Sequence, residues 1–226
     1  MSEFHFVEEY ERHVAGLKAQ HSRDEAMQLA VGGDYDAIGS AQASLIAEFG
    51  LRDGMSLIDL GCGSGRLAKH VAKRFSGIRY LGIDIIQDLL DYAAEQSPRN
   101  YRFVLSRSLT IPVESSSVDF LCAFSLFTHL LHEETFCYLE EAKRVLVPGG
   151  TLLFSFIEFG EHWFIFDEMV RLAREGRKGP HLNMFIENSA IEAWARALEM
   201  QILTIRDGSK TPGGQSITVL RKAVHA

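Results

Sequence analysis

The sequence predicts an α/β protein with a mostly parallel sheet, helices on both faces and an antiparallel pair closing the chain. Three features carry that reading. From Met55 onward, short apolar runs alternate with segments whose apolar residues recur at helical spacing. A glycine-rich turn, G-C-G-S-G at 61–65, sits at the first junction between strand and helix. The last two strand-like runs, Met200 to Arg206 and Gln215 to Leu220, flank S-K-T-P-G-G, a suitable joint between antiparallel strands.

Each element has its own justification. Leu57, Ile58 and Leu60 suit a buried strand over 55–60. Gly61, Gly63 and Gly65 allow a sharp turn and a close backbone approach to a ligand. Leu67, Ala68, Val71, Ala72 and Phe75 then mark a helix over 65–75, so the turn should aim free N–H groups and a positive helix end at an anionic group. Strand 79–83, helix 86–95, strands 101–105 and 118–124, helix 133–146 and strand 151–157 continue the pattern, and crossover helices between strands imply parallel pairing. Later segments read as a helix over 162–175, a loop at 176–182 and a helix through Leu198 opened by a capping box from Ser189 to Glu192.

Ahead of the glycine turn lie about fifty residues of helical character. Val7, Tyr10, Val14 and Leu17 share one face, Ile38, Ala41, Leu45 and Phe49 another, with a break at Gly32-Gly33. The expected organisation is a helical cover over 1–50 and one structural unit over 51–226, without a further domain.

Bulk properties narrow the function. A formal charge of −7 disfavours broad binding to phosphate backbones, so nucleic acid is not an expected partner. No apolar stretch approaches the ~18 residues of a membrane span, and the acidic start lacks a secretory pattern, which makes the cytoplasm the expected location. Cys62, Cys122 and Cys137 have no metal-ligand spacing and read as reduced thiols; no metal is implied.

The glycine turn alone has many steric explanations. Its spacing departs from the dinucleotide fingerprint G-x-G-x-x-G, because position 66 is Arg and the third glycine is at 65, which weakens a nicotinamide reading. Asp84, 23 residues beyond Gly61 at the tip of the second strand, stands where a carboxylate can accept hydrogen bonds from ribose hydroxyls; capping a surface helix is the competing role.

With L-I-D-L-G-C-G-S-G-R-L-A, Y-L-G-I-D ending at Asp84, I-P-V-E-S-S-S-V-D-F-L-C-A-F-S-L-F-T-H-L and L-E-E-A-K-R-V-L-V-P-G-G-T-L-L-F-S-F in this order, the chain resembles the class I S-adenosylmethionine-dependent methyltransferases, small bacterial members in particular. The resemblance runs from about Met55 to Lys222. It implies a Rossmann-like seven-stranded mixed sheet, with S-adenosyl-L-methionine across the C-terminal ends of the first four strands and S-adenosyl-L-homocysteine as product. Gly61, Cys62, Gly63 and Gly65 would line the methionine part, with Asp59 supporting the loop or reaching the amino group through water. Asp84 would hold the ribose hydroxyls, and Ile85 would touch the adenine or belong to the core. Family members usually carry an acidic residue where this chain has Arg107, five positions before Pro112, and an arginine cannot accept a bond from the adenine amino group. Backbone atoms near Ser106 to Leu109, or the hydroxyl of Ser106 or Ser108, are the alternatives; Ser125 would form a wall of the crevice or a simple turn.

The resemblance further implies methyl transfer to an oxygen, nitrogen or carbon atom. Such a displacement needs orientation, exclusion of water and, for a protonated nucleophile, removal of a proton. His129, just beyond strand 118–124, is a candidate base, a bond to a neighbouring loop or a cap on the next helix being its structural alternative. Tyr35 is a candidate for closing over the cofactor, and Glu158, Glu161, His162 and Trp163 are candidates for the acceptor border, where Trp163 also suits helix packing. The absence of an N/D/S-P-P-Y/F/W signature and of a basic platform makes a small molecule the expected acceptor. A non-catalytic module that binds S-adenosylmethionine for regulation or assembly is the alternative, and oligomeric state cannot be read from the chain.

Overall fold

A computed structural model describes residues 5–179 and 181–224. Its seven-stranded sheet has the order β3-β2-β1-β4-β5-β7-β6, built from β1 (Ser56–Leu60), β2 (Arg79–Asp84), β3 (Arg102–Leu105), β4 (Val118–Ala123), β5 (Leu146–Phe156), β6 (Met200–Arg206) and β7 (Ser216–Lys222). Strands β1 to β5 pair in parallel, and β7 lies antiparallel between β5 and β6. This is the mixed Rossmann-like sheet that the resemblance implies.

Among the described residues eight α-helices surround it: α1 (His5–Gln20), α2 (Arg23–Leu29), α3 (Tyr35–Glu48), α4 (Arg66–Arg74), α5 (Gln87–Glu95), α6 (His132–Val145), α7 (Phe159–Arg174) and α8 (Asn188–Ala197). Strand alternation divides the core into two layers. Ile58, Leu121, Leu152 and Phe154 join Leu139, Ala142, Ile191 and Ala195 of α6 and α8 on one face. Leu57, Phe120 and Leu153 join Leu45, Ile46, Leu67 and Val71 of α3 and α4 on the other. Adjacent residues of one strand thus enter opposite layers, which is why β1 is buried at every position rather than at alternate ones.

The N-terminal segment divides differently from its sequence pattern. A second break at Ser22, whose hydroxyl accepts from the Glu25 amide, separates α1 from α2, and Asp34 caps α3 through the Ala37 amide at 2.9 Å. Val14, Ala26 and Met27 of α1 and α2 pack on Leu89 and Tyr92 of α5 in a third cluster. Helix α3 adds Leu45 and Ile46 to the main core, while its first residue, Tyr35, reaches the Ser64 carbonyl of the glycine turn.

Two local expectations are corrected. Helix α8 begins at Asn188 without a side-chain cap, so the box from Ser189 to Glu192 does not form; Glu187, in the capping position, accepts the Phe159 amide at 2.9 Å instead. Helix α7 begins at Phe159 rather than 162 and kinks at His162 (φ −119°, ψ 28°).

Phe154, fully buried in β5, meets the Phe127 ring edge-on with centroids 5.0 Å apart. Phe154→Ala should therefore cost about 3–5 kcal/mol of stability. Urea unfolding checks this, and a loss below about 1 kcal/mol would contradict the packing described.

Candidate cofactor and acceptor site

The site begins where β1 and β2 end. The amides of Gly61 and Cys62 donate to the carbonyl of Ile83 at 2.8 and 3.1 Å, closing the two strand tips together. The Asp84 carboxylate then accepts three backbone bonds, from Gly63 at 2.8 Å on Oδ2 and from Ile85 and Ile86 at 2.8 and 3.1 Å on Oδ1. A carboxylate offers roughly four such positions, so Oδ2 retains one. Burial pushes the Asp84 pKa up, and the three amides oppose that shift.

Gly63 and Gly65 serve different ends. Both have positive φ, at +54° and +82°. A Cβ on Gly63 would lie 2.4 Å from Val31 Cγ1, beneath the turn joining α2 to α3, whereas one on Gly65 would lie 2.8 Å from the Ala93 Cβ of α5. Gly63 thus lets the overlying turn approach, and Gly65 lets α4 start against α5.

A cavity of about 540 Å³ opens above these tips, at the point where the strand order reverses between β1 and β4. Its size suits a ligand of several hundred daltons. Asp59, Gly61, Cys62, Gly63, Asp84 and Ile85 line one end, with Ser106 from the loop after β3. The Asp59 carboxylate accepts the Tyr80 hydroxyl at 2.5 Å, and burial raises its pKa to about 6. Burial likewise pushes the Cys62 thiol well up, so it is a protonated apolar wall rather than a nucleophile. Arg66 contributes from the first turn of α4, where its guanidinium donates to the carbonyls of Val31 and Gly32 at 3.0 and 2.8 Å and pins the overlying turn.

The other end gathers side chains distant in sequence. Past β4, Ser125 adopts φ +56° and starts a short 3₁₀ turn over Phe127–His129. The His129 Nδ1 lies 2.8 Å from the Leu182 carbonyl, so it carries the proton and leaves Nε2 as an acceptor. Its ring meets those of His181 and Tyr10 edge-on, with centroids at 4.5 and 5.4 Å. Burial lowers the His129 pKa to about 4, so the ring is neutral near pH 7. Tyr10, His13, His181, Asn183 and Gln215 complete this end.

Ser125 and His129 also line the cavity, joining the residues placed at its other end. Four sequence candidates do not line it. Gly65 faces α5; the Tyr35 hydroxyl donates to the Ser64 carbonyl at 3.0 Å. Arg107 pairs with Glu11 of α1 at 2.5 Å and donates to the Ile85 carbonyl at 3.2 Å, while the Ser108 hydroxyl meets that of Thr110 at 2.8 Å. The acceptor-border candidates are also occupied elsewhere. Buried His162 bonds the Gly214 carbonyl at 2.8 Å, the Glu158 carboxylate accepts the Ser216 hydroxyl, and Glu161 and Trp163 are exposed; Ile165 is the α7 residue among the described ones that reaches the cavity. Sequence reasoning missed Arg66, His13, His181 and Gln215. For His13 a signal existed, since it falls three residues after Tyr10 on the same helical face.

These groups fit S-adenosylmethionine. A carboxylate with a free acceptor position suits a ribose hydroxyl, Ile85 and Leu130 give apolar walls for a purine, and two buried carboxylates without a facing lysine suit a sulfonium cation. Fold, reversal point and acidic strand tip together are those of an α/β protein with a ligand crevice at its strand ends. A family model described as "Methyltransferase domain" matches residues 58–154 of the chain.

The chain is 26% identical over 181 residues to the biotin biosynthesis bifunctional protein BioHC of Cellvibrio japonicus, covering 78% of this chain and 34% of that protein. It is 33% identical over 116 residues to the malonyl-[acyl-carrier protein] O-methyltransferase of Yersinia pestis, covering 49% and 42%. The chain therefore spans less than half the length of either relative. A crystal structure of an S-adenosylmethionine-dependent methyltransferase from Methanosarcina mazei shares the fold, with a TM-score of 0.65, 18% identity and coverage of 80% and 98%.

Asp84→Ala should weaken S-adenosylmethionine binding by about 1–3 kcal/mol, roughly ten- to hundredfold in Kd. Calorimetric titration of the folded variant measures this; unchanged affinity would remove Asp84 from the site.

Proposed function

We propose that this chain transfers a methyl group from S-adenosylmethionine to an oxygen, nitrogen or carbon atom of a small-molecule acceptor. The single observation that carries the reading is one cavity lined by both the Asp84 carboxylate and the His129 imidazole. When bound, S-adenosylmethionine supplies an electrophilic sulfonium methyl, and its sulfur keeps the electron pair of the broken bond.

The chain's own groups then have defined tasks. Asp84 Oδ2 receives a ribose hydroxyl, and Gly61 to Gly63 offer backbone to the methionine part. Helices α1 and α2 exclude water. His129, its tautomer fixed by Leu182, takes the proton of an acceptor hydroxyl or amine at Nε2. A neutral imidazole of lowered basicity suits an acceptor whose proton is already weakly held. The name of the Yersinia relative describes an O-methyltransferase, which supports oxygen as the receiving atom.

A small acceptor agrees with the enclosed cavity, the acidic balance of −7 and the absence, among the described residues, of a helix long and apolar enough to cross a membrane. Residues 1–50 act in this reading as the cover and 51–226 as the transferase unit.

Release of S-adenosylhomocysteine on incubation with a metabolite pool tests the proposal. Binding of S-adenosylmethionine without such release from any pool would favour the regulatory module instead. His129→Gln should lower kcat at least about a hundredfold while leaving S-adenosylmethionine affinity within about twofold; an unchanged kcat would exclude a base at this position.

His129 also makes a pH prediction. Because folding lowers its pKa from 6.5 to about 4, the unfolded chain takes up the proton first as pH falls. Its contribution to stability is full above 6.5 and is lost as pH falls from there toward about 4. Urea titrations across that window should show a shallower pH dependence in His129→Gln than in the wild type; identical slopes would contradict a buried neutral ring.

A further inference from the structure

Gln215 stands just before β7 and lines the acceptor end of the cavity, and its conformation is fixed from several sides. The preceding carbonyl, of Gly214, accepts from buried His162 at 2.8 Å, and its own carbonyl accepts the Thr211 hydroxyl. Two serine hydroxyls meet its side chain, Ser155 at 2.7 Å and Ser125 at 3.1 Å. Ser155 Oγ already accepts the Ser125 amide at 2.7 Å, so its proton is directed onward to Gln215. In the orientation the structure assigns, both hydroxyls donate to the carbonyl oxygen Oε1. The amide nitrogen, with two N–H donors, is thereby turned away from the serines.

The same turn holds both ends of this arrangement. Ser125 binds Gln215, while the carbonyl of the next residue, Leu126, accepts the His129 amide at 3.0 Å. Gln215, whose amide carries two donors, and His129, whose Nε2 is an acceptor, thus line the same cavity. The charge of the lining is also selective. Among the described lining residues there is no lysine, and Arg66 is engaged by two backbone carbonyls. Burial holds His129 and His181 toward their neutral forms, and Asp59 and Asp84 disfavour an anion. An acceptor bearing a free carboxylate or phosphate would face two carboxylates and no lysine, at a substantial desolvation cost.

We propose that Gln215 is an acceptor-recognition residue whose side-chain N–H groups bind a carbonyl oxygen, and that Gln215 and His129 together select uncharged acceptors carrying both a hydroxyl and a carbonyl. This rests on the methyltransferase reading above and names the substrate class of that same site.

The test uses 2- and 3-hydroxybenzamide as uncharged probes and 2- and 3-hydroxybenzoate as their anionic counterparts. Binding to the full chain preloaded with S-adenosylhomocysteine is read by saturation-transfer NMR, and turnover with S-adenosylmethionine by product release. Gln215→Glu keeps an oxygen for both serines and removes the donor, so a purely structural role would survive it, and Gln215→Leu removes both. Wild type should bind and turn over a benzamide at least about tenfold better than the matching benzoate. Gln215→Glu should raise the benzamide KM at least about tenfold, with S-adenosylmethionine affinity and unfolding midpoint retained. Preference for benzoates, an unchanged KM in Gln215→Glu, or no binding of either benzamide by protein that binds S-adenosylmethionine would overturn the recognition proposal and leave the methyltransferase reading standing. Failure of the wild type to bind S-adenosylmethionine would instead remove the reading beneath it.

Discussion

The Asp84 carboxylate is the constraint on which the site's geometry depends. Its bond to the Gly63 amide crosses from the tip of β2 to the loop after β1, and its bonds to Ile85 and Ile86 shape the approach to α5, whose own N-cap, Ile86, has no capping side chain. One charged group thus fixes two loops and the starts of the helices that follow. Charge-assisted bonds of this kind are about twice as strong as neutral ones, which offsets the desolvation that raises the Asp84 pKa. The rest of the cavity is arranged around that fixed corner.

The overlying helices are held by a different balance. Lys18–Asp88, Arg23–Glu95 and Arg107–Glu11 tie α1 and α2 to the body of the protein, but all three are solvent-exposed pairs. Such pairs contribute about 0–1 kcal/mol each and weaken with salt. Val14, Met27, Leu89 and Tyr92 are buried together beneath them, and each fully buried apolar side chain contributes roughly 1.5–3 kcal/mol. Apolar packing therefore dominates the attachment.

Much of this was legible in the chain because it is local. The apolar run ending in Gly61, Gly63 and Gly65 locates β1 and its turn, and the alternation of strand and helix patterns gives a parallel sheet with an antiparallel end. Asp84 could be singled out by its place at a strand tip. What escaped depends on residues far apart. Arg107 looks like a misplaced adenine contact until α1 brings Glu11 beside it, 96 positions away. The Ser189 box is plausible locally, yet Glu187 is claimed by the Phe159 amide, 28 positions distant. Gln215 carries no motif at all; its orientation arises from serines at the ends of β4 and β5. Gly65 shows the converse, a glycine in the right motif whose space is taken by Ala93 rather than by a ligand.

The central claim is that the joined tips of β1 and β2 hold an adenosyl compound by its sugar. A crystal structure of the protein with S-adenosylhomocysteine tests it most directly. The account predicts a ribose hydroxyl within hydrogen-bonding distance of Asp84 and the amino-acid portion running along Gly61 to Gly63. A ligand lodged away from these tips, or one whose ribose leaves the Asp84 carboxylate to its three backbone amides alone, would contradict it.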